Sequence, residues 1–142
     1  MKEIPDEHFI GNIGQKAIIT DGNKVLIVRD VWDEAKWDLP GGRLHKNETL
    51  VEGLKREVLE EMGVEIEIGK LIYAESYIRS RDNLPTVLLA YSARFLNPEK
   101  PFAIPSEEIA EAQWIEYEKI NTVEIYGSCL RAIQTYFKTK TR

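Results

Sequence analysis

The sequence predicts an α/β fold in which a mixed β-sheet is packed between helices. Short β-branched runs fall into two groups, a helical pattern over 49–62 separates the groups, and a second helical pattern lies near the end. Strand groups separated by helices favour a layered sandwich. The 142 residues, of which 43% are hydrophobic, suit a single sizeable core. We therefore expect one domain over residues 1–142.

The predicted strands are short and bounded by turn residues. Residues 21–23 (Asp-Gly-Asn) tolerate the positive φ of a tight turn, so the runs on either side predict a first hairpin. Residues 80–85 are expected to join two longer strands, and prolines 98, 101 and 105 mark a long loop after them. We predict strands over residues 16–20, 24–29, 64–68, 71–79, 86–96 and 112–115.

Two helices are predicted from apolar spacing and capping residues. Thr49 and Glu52 have the Ser/Thr-x-x-Glu spacing of a capping box, and Gly63 follows the last turn as a C-terminal cap. Ser128 is expected to cap the second helix, over 128–137. At about 100° per residue, the residues expected to form the core-facing stripe of the first helix are Leu50, Val51, Leu54, Val58 and Met62.

Three glutamates of the first helix, Glu57, Glu60 and Glu61, fall on the arc beside this stripe, and we call them the acid face. Their mutual repulsion and the helix dipole both disfavour carboxylates near a helix C-terminus. Gly53, on the same arc, costs about 1 kcal/mol relative to alanine, so we expect something to approach it closely. Mg²⁺ or Mn²⁺ would relieve the repulsion. On the helix alone, a solvated acidic surface is the better interpretation.

The residues before the helix reverse that interpretation. The spacing from Gly42 to Val64 reads G-x5-E-x7-R-E-U-x-E-E-x-G-U, where U is aliphatic. The pattern resembles the complete Nudix box, with every defined position matched, and it is far more specific than a lone glycine motif. The matched residues are Gly42, Glu48, Arg56, Glu57, Val58, Glu60, Glu61, Gly63 and Val64.

The resemblance to Nudix hydrolases implies a Nudix-type α/β/α sandwich and a set of residue roles. The acid face would bind Mg²⁺ or Mn²⁺, with the backbone carbonyl of Gly41 as a further ligand. Arg56 would orient Glu57, and Glu48 would brace the loop against the helix. Gly42 and Gly63 would be structural.

The resemblance also implies the reaction, which is cleavage of the diphosphate linkage of a nucleoside diphosphate joined to another group. Nucleoside triphosphates and nucleotide sugars such as ADP-ribose stay open as substrates, and a binding-only sensor with the same fold is the alternative. Glu57 or Glu61 is expected to serve as ligand and general base together. Glu111 is the outside candidate, since Gln113 occupies the position before Trp114 where some relatives have glutamate.

Further residues are candidates for binding the substrate. Trp32 lies in a polar loop and is a candidate to stack on a base, whereas Trp37 is expected to be core. Arg79 and Arg81, at the second hairpin, are candidates to bind a phosphate.

The composition restricts the partners and the compartment. The 24 acidic residues against 19 basic ones give a net charge of -5, which argues against nucleic acid as the main partner. The longest apolar runs are too short to span a bilayer, and no signal-peptide pattern is present, so we expect no membrane partner. Cys129 is the single cysteine, which excludes an internal disulfide and favours the cytoplasm. The sequence leaves a homodimer open.

Overall fold

The computed structural model describes residues 7–33, 35–100, 103 and 107–140. Its strands are β1 (Asn12–Asp21), β2 (Lys24–Asp30), β3 (Gly41–Arg43), β4 (Ile66–Arg79), β5 (Leu84–Phe95) and β6 (Ile109–Glu116). Its helices are α1 (Leu50–Met62) and α2 (Gly127–Lys140), and a 3₁₀ helix over Tyr117–Thr122 links β6 towards α2. These two α-helices of the described residues lack the length and apolar character that a membrane-crossing helix needs.

The sheet is mixed and opens in its middle. Its strand order is β4-β5-β1-β2-β6, with β3 also paired to β1. Strands β1 and β5 are parallel, and the remaining pairs are antiparallel. β1 and β2 share register only at Thr20–Val25 and Asp21–Lys24, next to their turn. Beyond these pairs β1 is paired with β3, and Val28 of β2 forms a bridge with Asp38. A gap therefore opens between β1 and β2, which divides the sheet into a β4-β5-β1 half and a β2-β6 half.

Alternation along β1 divides the core into two layers. Ile18 packs in the cluster that includes Ile133 and Phe137 of α2, whereas Ala17 and Ile19 pack in the cluster that includes Leu54 of α1. Successive residues of a strand point to opposite faces, so the helices must lie on opposite sides of the sheet. Each fully buried aliphatic side chain contributes about 1.5–3 kcal/mol. The predicted sandwich of a mixed sheet between helices is confirmed.

Helix α1 begins and ends where its capping residues predict. The Thr49 hydroxyl accepts from the Glu52 amide, the Glu52 carboxylate accepts from the Thr49 amide, and Gly63 has φ 67°. The predicted core stripe is wrong in the first turn, because Leu50 and Val51 are 40% and 49% exposed. The inward residues are Gly53, Leu54, Val58, Glu61 and Met62. The buried face is therefore rotated towards the acid face, and its first turn extends past the apolar core.

Several strand predictions need correction. The strands predicted over 64–68 and 71–79 are one strand, β4, whose register against β5 shifts near Leu71. A strand can continue through an irregularity of this kind although the alternation of apolar and polar residues is interrupted there. We predicted two strands because the prediction relied on that alternation alone. Pro85 belongs to β5 and not to the connecting turn. β6 extends beyond the predicted 112–115 at both ends.

The structure also differs from the prediction in elements that have no regular apolar pattern. β3 and the 3₁₀ helix were not predicted, since three and six residues are too few to display a period. Ser128 lies inside the first turn of α2, which begins at Gly127, so its predicted capping position is wrong. Of the predicted proline-rich loop, positions 101 and 105 lie outside the described residues.

Candidate active site

A cleft of about 970 Å³ lies between the sheet, α1 and the start of α2. Its floor comes from β1, β4 and β5, and its walls come from the residues after β2, from β3, from α1 and from the start of α2. Seven of the residues proposed from sequence line it, namely Trp32, Gly41, Gly42, Glu57, Glu61, Arg79 and Arg81. The fold thus brings distant segments of the chain to one concave surface, which is the usual form of a small-molecule site.

Glu57 is held between Gly42 and Arg56. A Cβ added to Gly42 would lie 2.5 Å from the Glu57 carboxyl carbon, so a side chain there would displace this carboxylate. Nη1 of Arg56 donates to Oε1 of Glu57 at 3.0 Å. Glycine at position 42 is therefore explained by the space that Glu57 occupies.

Arg56 also ties the helix to the loop before it. Its Nε and Nη2 donate to the two carboxylate oxygens of Glu48 at 2.9 and 2.7 Å, and Glu48 also accepts from the His45 amide at 2.7 Å. The hydrogen bonds from Arg56 and from the His45 amide lower the pKa of Glu48 to about 2. A two-pronged contact between guanidinium and carboxylate fixes orientation as well as charge. These contacts fix the orientation of the Arg56 guanidinium beside the acid face.

Glu61 is the most buried carboxylate of the acid face. The residue is only 8% exposed, and its Oε1 accepts from the Gly41 amide at 2.8 Å. Burial raises the pKa of Glu61 to about 8, and the charge of Glu57 adds to this rise, while Lys16 and the Gly41 hydrogen bond oppose it. A buried carboxylate with one structural hydrogen bond lacks the full solvation that its charged form needs.

Glu60 differs from its two neighbours. Its side chain is 60% exposed, contacts Arg56 Nη1 at 3.3 Å and does not line the cleft. Among the described residues, no three acidic, histidine or cysteine side chains converge closely enough to form a ready cage for a metal ion. Mg²⁺ is commonly bound by one or two carboxylates together with phosphate oxygens and water. Glu57 and Glu61 fit that mode by donor type and by their shared cleft.

A sequence model of the NUDIX domain matches residues 13–132 of the chain. The chain belongs to the NUDIX family. The matched span includes all strands but the first residue of β1, and it includes the whole Nudix box predicted over 42–64.

Curated relatives and a solved structure resemble this Nudix chain over different lengths. The 8-oxo-dGTP diphosphatase of Buchnera aphidicola subsp. Acyrthosiphon pisum (strain APS) is 46% identical over 41 residues, 29% of this chain and 33% of that protein. A MutT-like protein of Streptomyces ambofaciens is 34% identical over 67 residues, 47% of this chain and 42% of that protein. The chain therefore spans less than half of either relative. The MutT protein of Methanosarcina mazei Go1 superimposes with a TM-score of 0.77 at 22% identity, covering 92% of this chain and 96% of that one.

The substrate-binding candidates of this Nudix domain have different surroundings. Trp32 is 71% exposed at the cleft rim. Arg79 forms an ion pair with Asp82, which is three residues away in the turn after β4. Arg81 lines the cleft with its side chain exposed. Glu111 lies on β6, pairs with Arg29 and is not among the residues that line the cleft.

Sequence reasoning missed an ion pair in the cleft. Nζ of Lys16 donates to Oδ2 of Asp38 at 3.1 Å, and the side chains are 15% and 16% exposed. Oδ1 of Asp38 accepts from the Leu39 amide at 2.7 Å and from Cys129 Sγ at 3.0 Å. Lys16 interrupts β1 at a position that faces inward, so a charged residue inside an alternating strand was the available signal. It could not identify Asp38 as the partner, because the two residues meet only across the gap between β1 and β2.

Gly53 also has a different explanation from the one predicted. A Cβ at this position would lie 2.7 Å from Cδ1 of Leu44 and 2.9 Å from Oε1 of Glu48. The group that approaches closely is therefore the loop before the helix and not a metal ion. Gly53 lets this loop pack against α1, which keeps Glu48 within reach of Arg56.

Proposed function

We propose that this Nudix domain is a hydrolase that depends on a divalent metal ion and cleaves the diphosphate linkage of a nucleoside diphosphate joined to another group. The observation that carries the proposal is that Glu57 and Glu61 line one cleft, each beside a glycine of the Gly41-Gly42 pair. Carboxylates confined in this way suit a hard cation and its phosphate ligands.

Glu57 and Glu61 are the proposed ligands for Mg²⁺ or Mn²⁺. Glu60 joins them through a change of its side-chain conformation, for which its 60% exposure leaves room. The carbonyl of Gly41 is a further proposed ligand, on the resemblance to the family alone. When bound, the ion supplies charge neutralisation for the diphosphate and acidifies the attacking water. Arg56 keeps Glu57 directed at the cleft through the 3.0 Å hydrogen bond, with Glu48 fixing Arg56 from behind.

The proposed general base is Glu57 or Glu61. A base must come within hydrogen-bond reach of the water whose proton it takes, directly or through one more water. Both glutamates line the cleft, whereas Glu111 is paired with Arg29 on the outer strand β6. These contacts favour a base within the Nudix box over the later candidate.

A nucleoside triphosphate is the substrate we favour over a nucleotide sugar. The support is the short match to a protein named 8-oxo-dGTP diphosphatase, which covers 41 residues at 46% identity. Trp32 and Arg81 are proposed to contact the substrate from the rim. Arg79 is a weaker candidate for this role, because its ion pair with Asp82 must open first. The buried free thiol of Cys129 is consistent with work in a reducing cytoplasm.

The experiment that tests the proposal is a substrate panel with metal control. Nucleoside triphosphates and ADP-ribose are incubated with Mg²⁺, with Mn²⁺ or with EDTA, and the products are separated by chromatography. We expect one class to be cleaved between its phosphorus atoms, with turnover lost in EDTA and restored by the metal. Full turnover in EDTA, or no cleavage of any member of the panel, would contradict the proposal.

A further inference from the structure

Gly14 is a glycine that the protein's own structure does not require. It lies inside β1, where glycine costs about 0.5–1 kcal/mol relative to alanine. A Cβ added to it would have Thr86 Cγ2 as its nearest neighbour, at 4.0 Å, and its φ is not positive. By contrast, a Cβ on Gly41 would lie 2.0 Å from the Gln15 carbonyl oxygen. Neither crowding nor backbone conformation explains the glycine at position 14. A strand glycine with open space beside it is expected where a ligand approaches the backbone closely.

The residues that face the cleft on either side of Gly14 are polar and incompletely paired. Asn12, Gly14 and Lys16 alternate along β1 and all line the cleft. Nδ2 of Asn12 is buried and has no hydrogen-bond partner among the residues that the structure describes. A buried donor without a partner is costly, so a group that supplies an acceptor there would be bound selectively.

Lys16 offers further donors at the other end of this row. An ammonium group has three N–H bonds, and one of them is used on Asp38. Asp38 itself has little acceptor capacity left, because it also accepts from the Leu39 amide and from Cys129 Sγ. The row therefore presents mostly hydrogen-bond donors, and a ligand that matches it must present acceptors.

Between the two ends of the row, no side chain projects from Gly14 into the cleft. Gly14 is directly opposite Leu88 of the parallel strand β5, and Asn12 is opposite Thr86. Leu88 and Thr86 also line the cleft, and both are nearly buried in the free protein. A planar ring can therefore lie over Gly14, with the donors of Asn12 and Lys16 at either end of it.

We propose that Asn12, Gly14 and Lys16 form a platform for the planar base of the substrate, and that the platform selects bases that carry a ring carbonyl. This inference rests on the proposed function and specifies the substrate class of the same cleft. Guanine carries one ring carbonyl oxygen and uracil carries two, and such an oxygen accepts from Lys16 or Asn12. Adenine accepts through its ring nitrogens only, and it carries an amino donor at the ring position where guanine carries its carbonyl oxygen, so that donor faces the donors of the row. Selection follows because a donor left unpaired by the wrong base keeps its desolvation cost.

The test uses Gly14→Val and ligands that need no metal. NMR titrations in EDTA compare GMP, UMP, AMP and ribose 5-phosphate. We expect GMP and UMP to bind about tenfold or more tightly than AMP and ribose 5-phosphate. Valine adds bulk to the platform, so Gly14→Val should weaken GMP and UMP by about tenfold or more and leave ribose 5-phosphate unchanged. Its melting temperature should equal or exceed that of the parent, because valine suits a strand.

A second pair of variants isolates the donor. Asn12→Leu should weaken GMP binding about tenfold with no loss of thermal stability, since it removes an unpaired buried group. The matched control is Asn97→Leu, an exposed asparagine outside the cleft, which should change neither quantity.

Other outcomes overturn the platform. Equal affinity of parent and Gly14→Val for GMP would do so, as would AMP binding as tightly as GMP or no binding of either oxo-base. A parallel loss of ribose 5-phosphate would mean that the row holds the phosphate. If the titrations contradict the platform but the protein still hydrolyses its substrate, the proposed function stands. If the protein hydrolyses no substrate, the titrations still test the platform, because they need neither metal nor turnover.

Discussion

The acid face of α1 and the Asn12–Gly14–Lys16 platform share one cleft, but their glycines have different causes. Gly42 is filled by the protein itself, since a Cβ would meet the Glu57 carboxyl at 2.5 Å. Gly14 has open space, with its nearest neighbour at 4.0 Å. A crowded glycine is required by the packing of the protein itself, whereas an uncrowded glycine in a strand indicates space for a ligand. The first kind maintains the geometry of the site, and the second kind is where its specificity is best sought.

The two regions also differ in how their charges are balanced. Arg56 is the one cation that pairs with Glu48, Glu57 and Glu60, so carboxylates outnumber cations at the acid face. On the platform, Lys16 and Asp38 neutralise each other. An excess of negative charge suits a cation, and a neutral pair with spare donors suits an uncharged ring.

The largest expected effect is the loss of turnover in Glu57→Gln. Removing a proposed metal ligand that is also the partner of Arg56 should lower the rate about a hundredfold or more, while the free energy of unfolding changes by less than about 1 kcal/mol. The control is Glu52→Gln on the same helix, where glutamine retains the capping acceptor. Rates on the best substrate of the panel, with urea denaturation, measure both. Unchanged rates in both variants would remove the acid face from the active site.

A large effect on stability is expected from Gly41→Ala, with Gly14→Ala as its counterpart. Gly41 has φ 142°, and an added Cβ would lie 2.0 Å from the Gln15 carbonyl oxygen. We expect Gly41→Ala to lower the free energy of unfolding by about 2 kcal/mol or more, since backbone cannot move aside cheaply. Gly14→Ala should not lower it. Urea denaturation of the pair tests this contrast, and equal losses would show that Gly14 is also constrained by the fold.

A smaller effect is expected from Mg²⁺ on thermal stability. At a concentration tenfold above its dissociation constant, a ligand bound only by the folded state adds about 1.4 kcal/mol, which corresponds to a melting temperature higher by roughly 3–6 °C. The shift should be lost in Glu57→Gln and retained in Gly14→Val, which leaves the acid face unchanged. Differential scanning calorimetry measures it. A shift lost in Gly14→Val would mean that the platform and the metal site are not separable.

The smallest effect is the pH dependence of Glu48. Hydrogen bonds from Arg56 and the His45 amide lower its pKa from 4.5 to about 2 in the folded protein. A lowered folded pKa gives stability that is present above pH 4.5 and is lost as pH falls from 4.5 towards 2. The difference in unfolding free energy between parent and Glu48→Gln should therefore be largest above pH 5 and shrink below 4.5. Urea denaturation across this range, with Glu52→Gln as control, tests it, and a constant difference would contradict it.

The sequence alone predicted the hairpin at 21–23, both ends of α1, and the placement of one helix between the two strand groups and one after them. These features depend on local interactions, such as the Thr49–Glu52 capping box and the left-handed conformation at Gly63. Errors arose where tertiary packing overrides periodicity. Leu50 and Val51 have core spacing and yet lie past the core, and one strand continues through the irregular region near Leu71.

The Nudix box, fixed by residue spacing, determined the family and the presence of three glutamates on one side of α1. Only the tertiary structure decided that Glu61 is buried against Gly41 while Glu60 is exposed, because that depends on how α1 is rotated against the sheet. The pairing of Lys16 with Asp38 was likewise decided in three dimensions. The two residues are 22 positions apart and meet because β1 and β2 diverge after two register pairs, a separation that no local pattern in the chain encodes.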